Sequence, residues 1–373
     1  MNPVAGHWGA EPATTPVLVE AAAYNGLAVD AHQSWAFWRA ELSPFVESPF
    51  VCPNGERATM CLARALGPRL SGAARSVELV RRALGQLPEV DAQLRVGVAL
   101  VVSERFAPGG AEHERLGALE RSLADLFHRR WPAATVRILP GGSAGAGQAV
   151  LQAVAALGGR SAEVMVVGGV DSAHGADAVE ALLAEGRLFD AEAPDRMIPG
   201  EGAALLVLTT RELAVRLGWT VRALVEGAAH GTDAAVGRED IPRSGEGLSA
   251  VMRALTGQLK KRRLQLEWLL GDLTSEPWRA REWGLALYRA LAPGGLDTAG
   301  RDFFQIAHDR LRVDQLPECF GDLGAATLPT AVVVAMQSFL RGEPSPARCL
   351  LVASSPGPER GAILLASAQQ RRS

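Results

Sequence analysis

The stretch Arg137-Ile-Leu-Pro-Gly-Gly-Ser-Ala-Gly-Ala-Gly-Gln-Ala149 reads as strand, tight turn and small-residue helix, with Ser143 at the elbow. A side chain at such an elbow faces a helix N-terminus, where the aligned peptide dipoles favour negative charge, so Ser143 is a candidate nucleophile. The dipole supplies about 1 kcal/mol, less than one pKa unit, so a hydroxyl there needs a base. The histidines are His7, His32, His113, His128, His174, His230 and His308. His174 follows the strand at Glu163-Val-Met-Val-Val-Gly-Gly-Val170 and His230 follows a strand at 220–227, so both could approach a central site. The competing reading of Ser143 is a helix N-cap that accepts hydrogen bonds from the next backbone N–H groups. Cys52, Cys61, Cys319 and Cys349 form no CxxC pair and no metal-ligand spacing, so buried, reduced thiols are expected, and neither a metal nor a cofactor.

The elements that must position Ser143 follow from hydrophobic periodicity. Strands are expected at Val17–Ala22, at the continuous apolar run Leu94–Val102, and at Thr135–Leu139, Glu163–Val170 and Ala203–Leu208. The second half adds Thr220–Gly227, Trp268–Leu270, Cys349–Ala353 and Ala362–Leu365. Helices are expected at Ser34–Leu42, Arg75–Leu87, Glu112–Arg130, Ser143–Leu157, Gly247–Lys260, Trp278–Ala290 and Leu323–Leu340. Alternating strands and helices predict an α/β fold with parallel or mixed sheets covered by helices, and residues 1–15 read as a loose tail. A break near 210–218 predicts two halves, 1–215 and 216–373. The run Lys260-Lys-Arg-Arg263 falls at a helix end, where cations suit the dipole.

The chain has 373 residues, is 48% hydrophobic and carries a formal charge of −3, which suits a sizeable core and gives no general attraction to nucleic acid or anionic membrane. No apolar run approaches the roughly 18 residues of a membrane span. Residues 1–8 have no basic region followed by an apolar one, so a cytoplasmic location is expected.

In its motifs the chain resembles the β-ketoacyl synthases of the thiolase-like superfamily. In that family a nucleophilic Cys opens a small-residue helix, a Gly-Gly lies on the next strand, and a Gly-Glu-Gly or Gly-Asp-Gly loop leads into an apolar strand. Here Ser143 precedes Gly168-Gly169 by 25 residues, and Val170-Asp-Ser172, Gly186-Arg-Leu188 and Pro199-Gly-Glu-Gly-Ala203 follow in order. The resemblance implies a five-layered α-β-α-β-α fold with two pseudo-symmetric halves. It also implies a dimer, with itself or with a ketosynthase-like paralogue, and an acyl carrier protein as a possible partner. It places Asp272, in Leu270-Gly-Asp-Leu-Thr, on the family's first catalytic His, and Asp322, in Phe320-Gly-Asp-Leu-Gly, on the second. The family's Lys falls on Pro317, and its late Phe-containing loop on Ser354-Ser-Pro-Gly-Pro-Glu-Arg360.

Condensation uses a thiolate and two His donors that stabilise a thioester enolate. An ionised Asp cannot donate, and at 4 Å it opposes such a charge by roughly 4 kcal/mol at an effective dielectric of 20. The resemblance therefore implies a degenerate ketosynthase acting as a non-condensing partner, of the chain-length-factor kind or as an accessory protein of a secretion locus. The alternative is an acyltransferase that acylates Ser143, with Asp322 or a neighbouring His as base. Cys319, three residues before Asp322, is a candidate displaced thiol. The enzyme reading requires a base in reach of Ser143 and an open acyl tunnel, and the partner reading a blocked one.

Overall fold

The computed structural model describes residues 4–8, 15–237, 244–291, 311–341 and 346–368. The strands are β1 (Val4–Trp8), β2 (Pro16–Asn25), β3 (Val46–Val51), β4 (Arg57–Met60), β5 (Val96–Val102), β6 (Thr135–Pro140), β7 (Val164–Ser172), β8 (Glu201–Thr210), β9 (Ala223–Thr232), β10 (Trp268–Gly271), β11 (Arg312–Gln315), β12 (Arg348–Ser354) and β13 (Glu359–Ser367). The helices are α1 (Ala31–Arg39), α2 (Gly72–Leu84), α3 (Leu116–Arg130), α4 (Gly145–Gly158), α5 (Ala176–Ala184), α6 (Arg211–Arg216), α7 (Glu246–Arg262), α8 (Pro277–Leu291), α9 (Pro317–Phe320) and α10 (Thr327–Arg341).

The large sheet runs β11-β10-β12-β13-β9-β2-β8-β7-β5-β6. Outward from the β9–β2 junction the two arms repeat one pattern. β2 pairs antiparallel with β8, β8 antiparallel with β7, and β7 and β6 both parallel with β5. In the other arm β9, β13, β12, β10 and β11 take the same places with the same directions. The arms meet in a short antiparallel pairing, Val17↔Leu224 and Leu18↔Ala223. β5 reads Val-Gly-Val-Ala-Leu-Val-Val and is buried at every residue, as a strand covered on both faces requires.

Three cores define the layers. One cluster joins α4 and α10 to inner-face residues of both arms, such as Val167 and Leu206 on one side and Leu351 and Ile363 on the other. A second packs α2 and α3 on the outer face of the β2–β6 arm, and a third packs α7 and a face of α8 on the other arm. The fold is thus five layers, α-β-α-β-α, with two pseudo-symmetric halves. α10 is buried at every residue from Thr327 to Phe339, as a helix enclosed on all sides must be. α4 lies so close to the second arm that a Cβ on Gly147 would sit 2.6 Å from the Ala229 carbonyl oxygen. Gly147 therefore serves contact between the halves of one chain, while Gly145 gives room to Val101 of its own half.

Several expectations are corrected. Val4–Trp8 is not loose tail, because it pairs antiparallel with Gly227–Gly231 of β9. A hairpin of β3 and β4 forms where no strand was expected, with its own small core around Met60, Cys52 and Leu182. β9 begins at Ala223 and continues through His230 to Thr232, past the expected end at Gly227. The helix expected from Leu323 starts at Thr327, after a 3-10 turn at Gly324–Ala326. His308 lies outside the described residues. Among the described residues no helix is long and apolar enough to cross a membrane.

Candidate functional site

A cavity of about 910 Å³ opens beyond the carboxyl ends of β5, β6, β7 and β12, where Ser103, Ser143, Asp171 and Pro356 reach its wall. Such crevices are where α/β sheets hold ligands. Ser143 sits in a 3-10 turn, Gly142–Ala144, directly ahead of α4. The turn is pinned from the other half of the chain: the Ser355 hydroxyl donates to the Gly141 carbonyl at 2.9 Å and accepts from the Ala144 N–H at 3.1 Å. Gly142 has φ +57°, in the left-handed region, and a Cβ there would collide with Glu104 Oε2. The Ser143 side chain caps no N–H, and its hydroxyl has no hydrogen bond among the described residues, which corrects the N-cap reading.

The second side of the cavity is built on charge. Arg279, 1% exposed, lies between Asp272 and Asp322. Its Nη2 is 3.2 Å from Asp322 Oδ2, its Nη1 is 3.6 Å from Asp272 Oδ2, and Nη1 donates to the Asp272 carbonyl at 2.9 Å. Glu276 adds 3.7 Å to Arg279 and 2.7 Å to Arg187, and Arg187 also lies 4.0 Å from Asp322. Asp322 Oδ1 accepts from the Gly324 N–H at 2.9 Å, and Asp272 Oδ2 from the Ser354 N–H at 2.8 Å. The Trp278 ring covers the Arg279 guanidinium at 5.0 Å. Burial pushes the Asp272 carboxyl up to about 6, against the pull of Arg279. Burial works against the Arg279 charge, but Asp322, Asp272 and Glu276 together hold its pKa above the ordinary value.

No family model matches the chain, and no curated protein does. Solved structures do match. A chain from a type II polyketide synthase complex of an acyl carrier protein with its ketosynthase is 14% identical at TM-score 0.74, covering 96% of this chain and all of that one. The oxazolomycin ketosynthase domain of Streptomyces albus is 16% identical at 0.74, covering 96% and 76%. The ishigamide ketosynthase/chain length factor is 15% identical at 0.71, covering 95% and 99%. The fold is the thiolase-like fold of ketosynthases.

Within this ketosynthase fold, Ser143 and Asp322 line one cavity, while Asp272 lies behind its wall and is joined to Asp322 through Arg279. The two candidate histidines are elsewhere. His174 Nε2 is hydrogen-bonded to the Pro68 carbonyl at 3.0 Å with its ring against Phe50, and His230 Nε2 pairs with Glu359 at 2.5 Å. All four cysteines are free and buried. The Cys319 thiol lies 3.9 Å from the Trp38 carbonyl, off the cavity, and burial with Glu318 pushes it up to about 11. Glu201 of the Pro-Gly-Glu-Gly loop is a structural anchor. Its oxygens take Arg75 Nε and Nη2, the Ser172 hydroxyl and the Ala63 N–H, each at 2.6 Å.

Sequence reasoning missed Arg279, Arg187, Glu104 and Ser355. A signal for Arg279 existed: it lies in the first turn of α8, where a cation opposes the helix dipole and needs carboxylates to hold it. Glu104 gave no signal, since only the left-handed turn at Gly142 brings its carboxyl to the elbow.

Proposed function

We propose that this chain, with halves 1–215 and 216–373, is a ketosynthase-fold subunit that does not condense acyl thioesters and acts as a partner or accessory subunit, in the manner of a chain length factor. Supporting this is the Arg279 cluster. The residues matching the family's two His positions, Asp272 and Asp322, accept hydrogen bonds and face a shared guanidinium. Neither offers a donor to an enolate oxygen in the ionised form. Ser143 matches the family's Cys, and its hydroxyl has no hydrogen-bonded base among the described residues. The cavity beside it is lined by charged groups such as Glu104, Asp171 and Arg187, a poor channel for an alkyl chain. In this reading the chain works in the cytoplasm as a dimer, with itself or with an active ketosynthase-like paralogue, and meets acyl carrier protein. The solved complexes with a carrier protein and with a chain length factor support those partners.

The test is a single-turnover condensation assay with acyl- and malonyl-loaded carrier protein, run with the chain alone and with a candidate ketosynthase partner. No condensed product from the chain alone, and an altered product length or yield in the mixture, is the expected result. Condensed product from the chain alone contradicts the reading.

A further inference from the structure

The cavity lining holds a carboxylate that the ion-pair clusters leave out. Asp171 is paired to Arg105 at 3.1 Å, Glu276 to Arg187 at 2.7 Å and Asp322 to Arg279 at 3.2 Å. Glu104 has no ion pair among the described residues, and its buried Oε2 has no hydrogen-bond partner. That oxygen lies against Gly142, in the turn that carries Ser143, and both residues line the cavity. Burial, and then the nearby Asp171, push the Glu104 carboxyl above its usual range, against the pull of its own backbone N–H and of Arg187 and Arg105, neither of which forms an ion pair with it among the described residues.

We propose that this cavity is a binding site for a small organic cation, whose primary ammonium pairs with Glu104 beside the Ser143 hydroxyl. The lining fixes the sign. Six carboxylates (Glu104, Asp171, Glu185, Asp195, Glu276 and Asp322) face three guanidiniums (Arg105, Arg187 and Arg196), and adding Arg279 behind the wall still leaves an acidic excess. A negative cavity with low-dielectric walls concentrates cations. A metal ion fits less well, because no group of three or more His, Cys, Asp or Glu side chains among the described residues converges to hold one. The volume, about 910 Å³, is that of a small-molecule site. An ammonium supplies the counter-charge that no ion pair among the described residues gives the Glu104 carboxylate, in a charge-assisted hydrogen bond. The inference goes beyond the accessory-subunit reading and does not depend on acyl chemistry.

Calorimetric titration of the full chain with 1,5-diaminopentane, with uncharged 1,5-pentanediol at matched ionic strength as control, tests it. The expected result is saturable diamine binding, none for the diol, and at least about a tenfold loss of affinity in E104Q. E104Q keeps the shape and removes an unpaired carboxylate, so its melting temperature without ligand should equal or exceed that of wild type. Should E104Q fail to fold, E104D, which keeps the charge but draws it back from the turn, carries the test with a smaller loss. No saturable diamine binding, equal binding of the diol, or wild-type affinity in the Glu104 variant that folds overturns the proposal.

Discussion

The turns Gly142–Ala144 and Gly324–Ala326 occupy corresponding places in the two halves. Each opens a central helix, and the two turns pack against each other. Each is also closed by a side chain from the end of the corresponding strand in the opposite half. Ser355, just past β12, accepts from Ala144 N–H, and Asp171, at the end of β7, accepts from Ala325 N–H at 3.2 Å. The backbone device is the same, but the electrostatics differ. The α10 turn is capped by charge, with Asp322 on Gly324 and Asp171 on Ala325, and is tied to Arg279 and Arg105. The α4 turn is capped by a neutral hydroxyl. One pseudo-symmetric frame thus carries two different sites, and the ionic one spends its helix-end donors on the protein's own carboxylates.

Arg279→Met breaks this contrast most severely, because it leaves Asp272 and Asp322 buried without their shared cation. A loss of about 3–5 kcal/mol in urea unfolding is expected, and a loss below about 1 kcal/mol would mean the cluster is not held by charge. The pH response of Asp272 comes next. Burial holds its carboxyl at about 6 in the folded chain, above the ordinary aspartate range, so its contribution is fully present below about pH 4 and is lost as pH rises through 6. Two pKa units correspond to about 3 kcal/mol at most. The stability of wild type relative to D272N should therefore fall between pH 4 and 7, and a flat difference would contradict this. Ser355→Ala removes both hydrogen bonds that pin the neutral turn and should cost about 1–2 kcal/mol, read from thermal melts at constant pH. Ser143→Ala should change stability by less than about 0.5 kcal/mol, since its hydroxyl has no hydrogen bond to lose. A larger loss would reveal a partner for that hydroxyl.

Much of the frame was legible because its signals are local. The run at Leu94–Val102 gave β5, and the alternation of strands and helices gave the α/β class. The 25-residue spacing from Ser143 to Gly168-Gly169 led to the fold through one turn, one helix and one strand. β1 was missed because its pairing with β9 spans more than 200 residues and leaves no periodic mark in five. Of the residues singled out in the sequence, Ser143 and Asp322 line one cavity and Asp272 is joined to it through Arg279, but their surroundings were not legible. Of the groups that define their state, Ser355 and Glu104 come from segments far from Ser143 in sequence, while Arg279 lies seven residues after Asp272 but far from Asp322. Only Arg279 carried a hint, a cation in the first turn of α8. The N-cap reading of Ser143 failed because a 3-10 turn intervenes before α4, which puts Ala144 and not Ser143 at the N-cap position.

We propose that the neutral turn presents a serine without the machinery to accept an acyl group. The most direct measurement is the intact mass of the purified chain after incubation with acyl-CoA and with acyl-loaded carrier protein, with peptide mapping of any adduct. An unchanged mass is expected. A stoichiometric acyl adduct on Ser143, lost in Ser143→Ala, would contradict it.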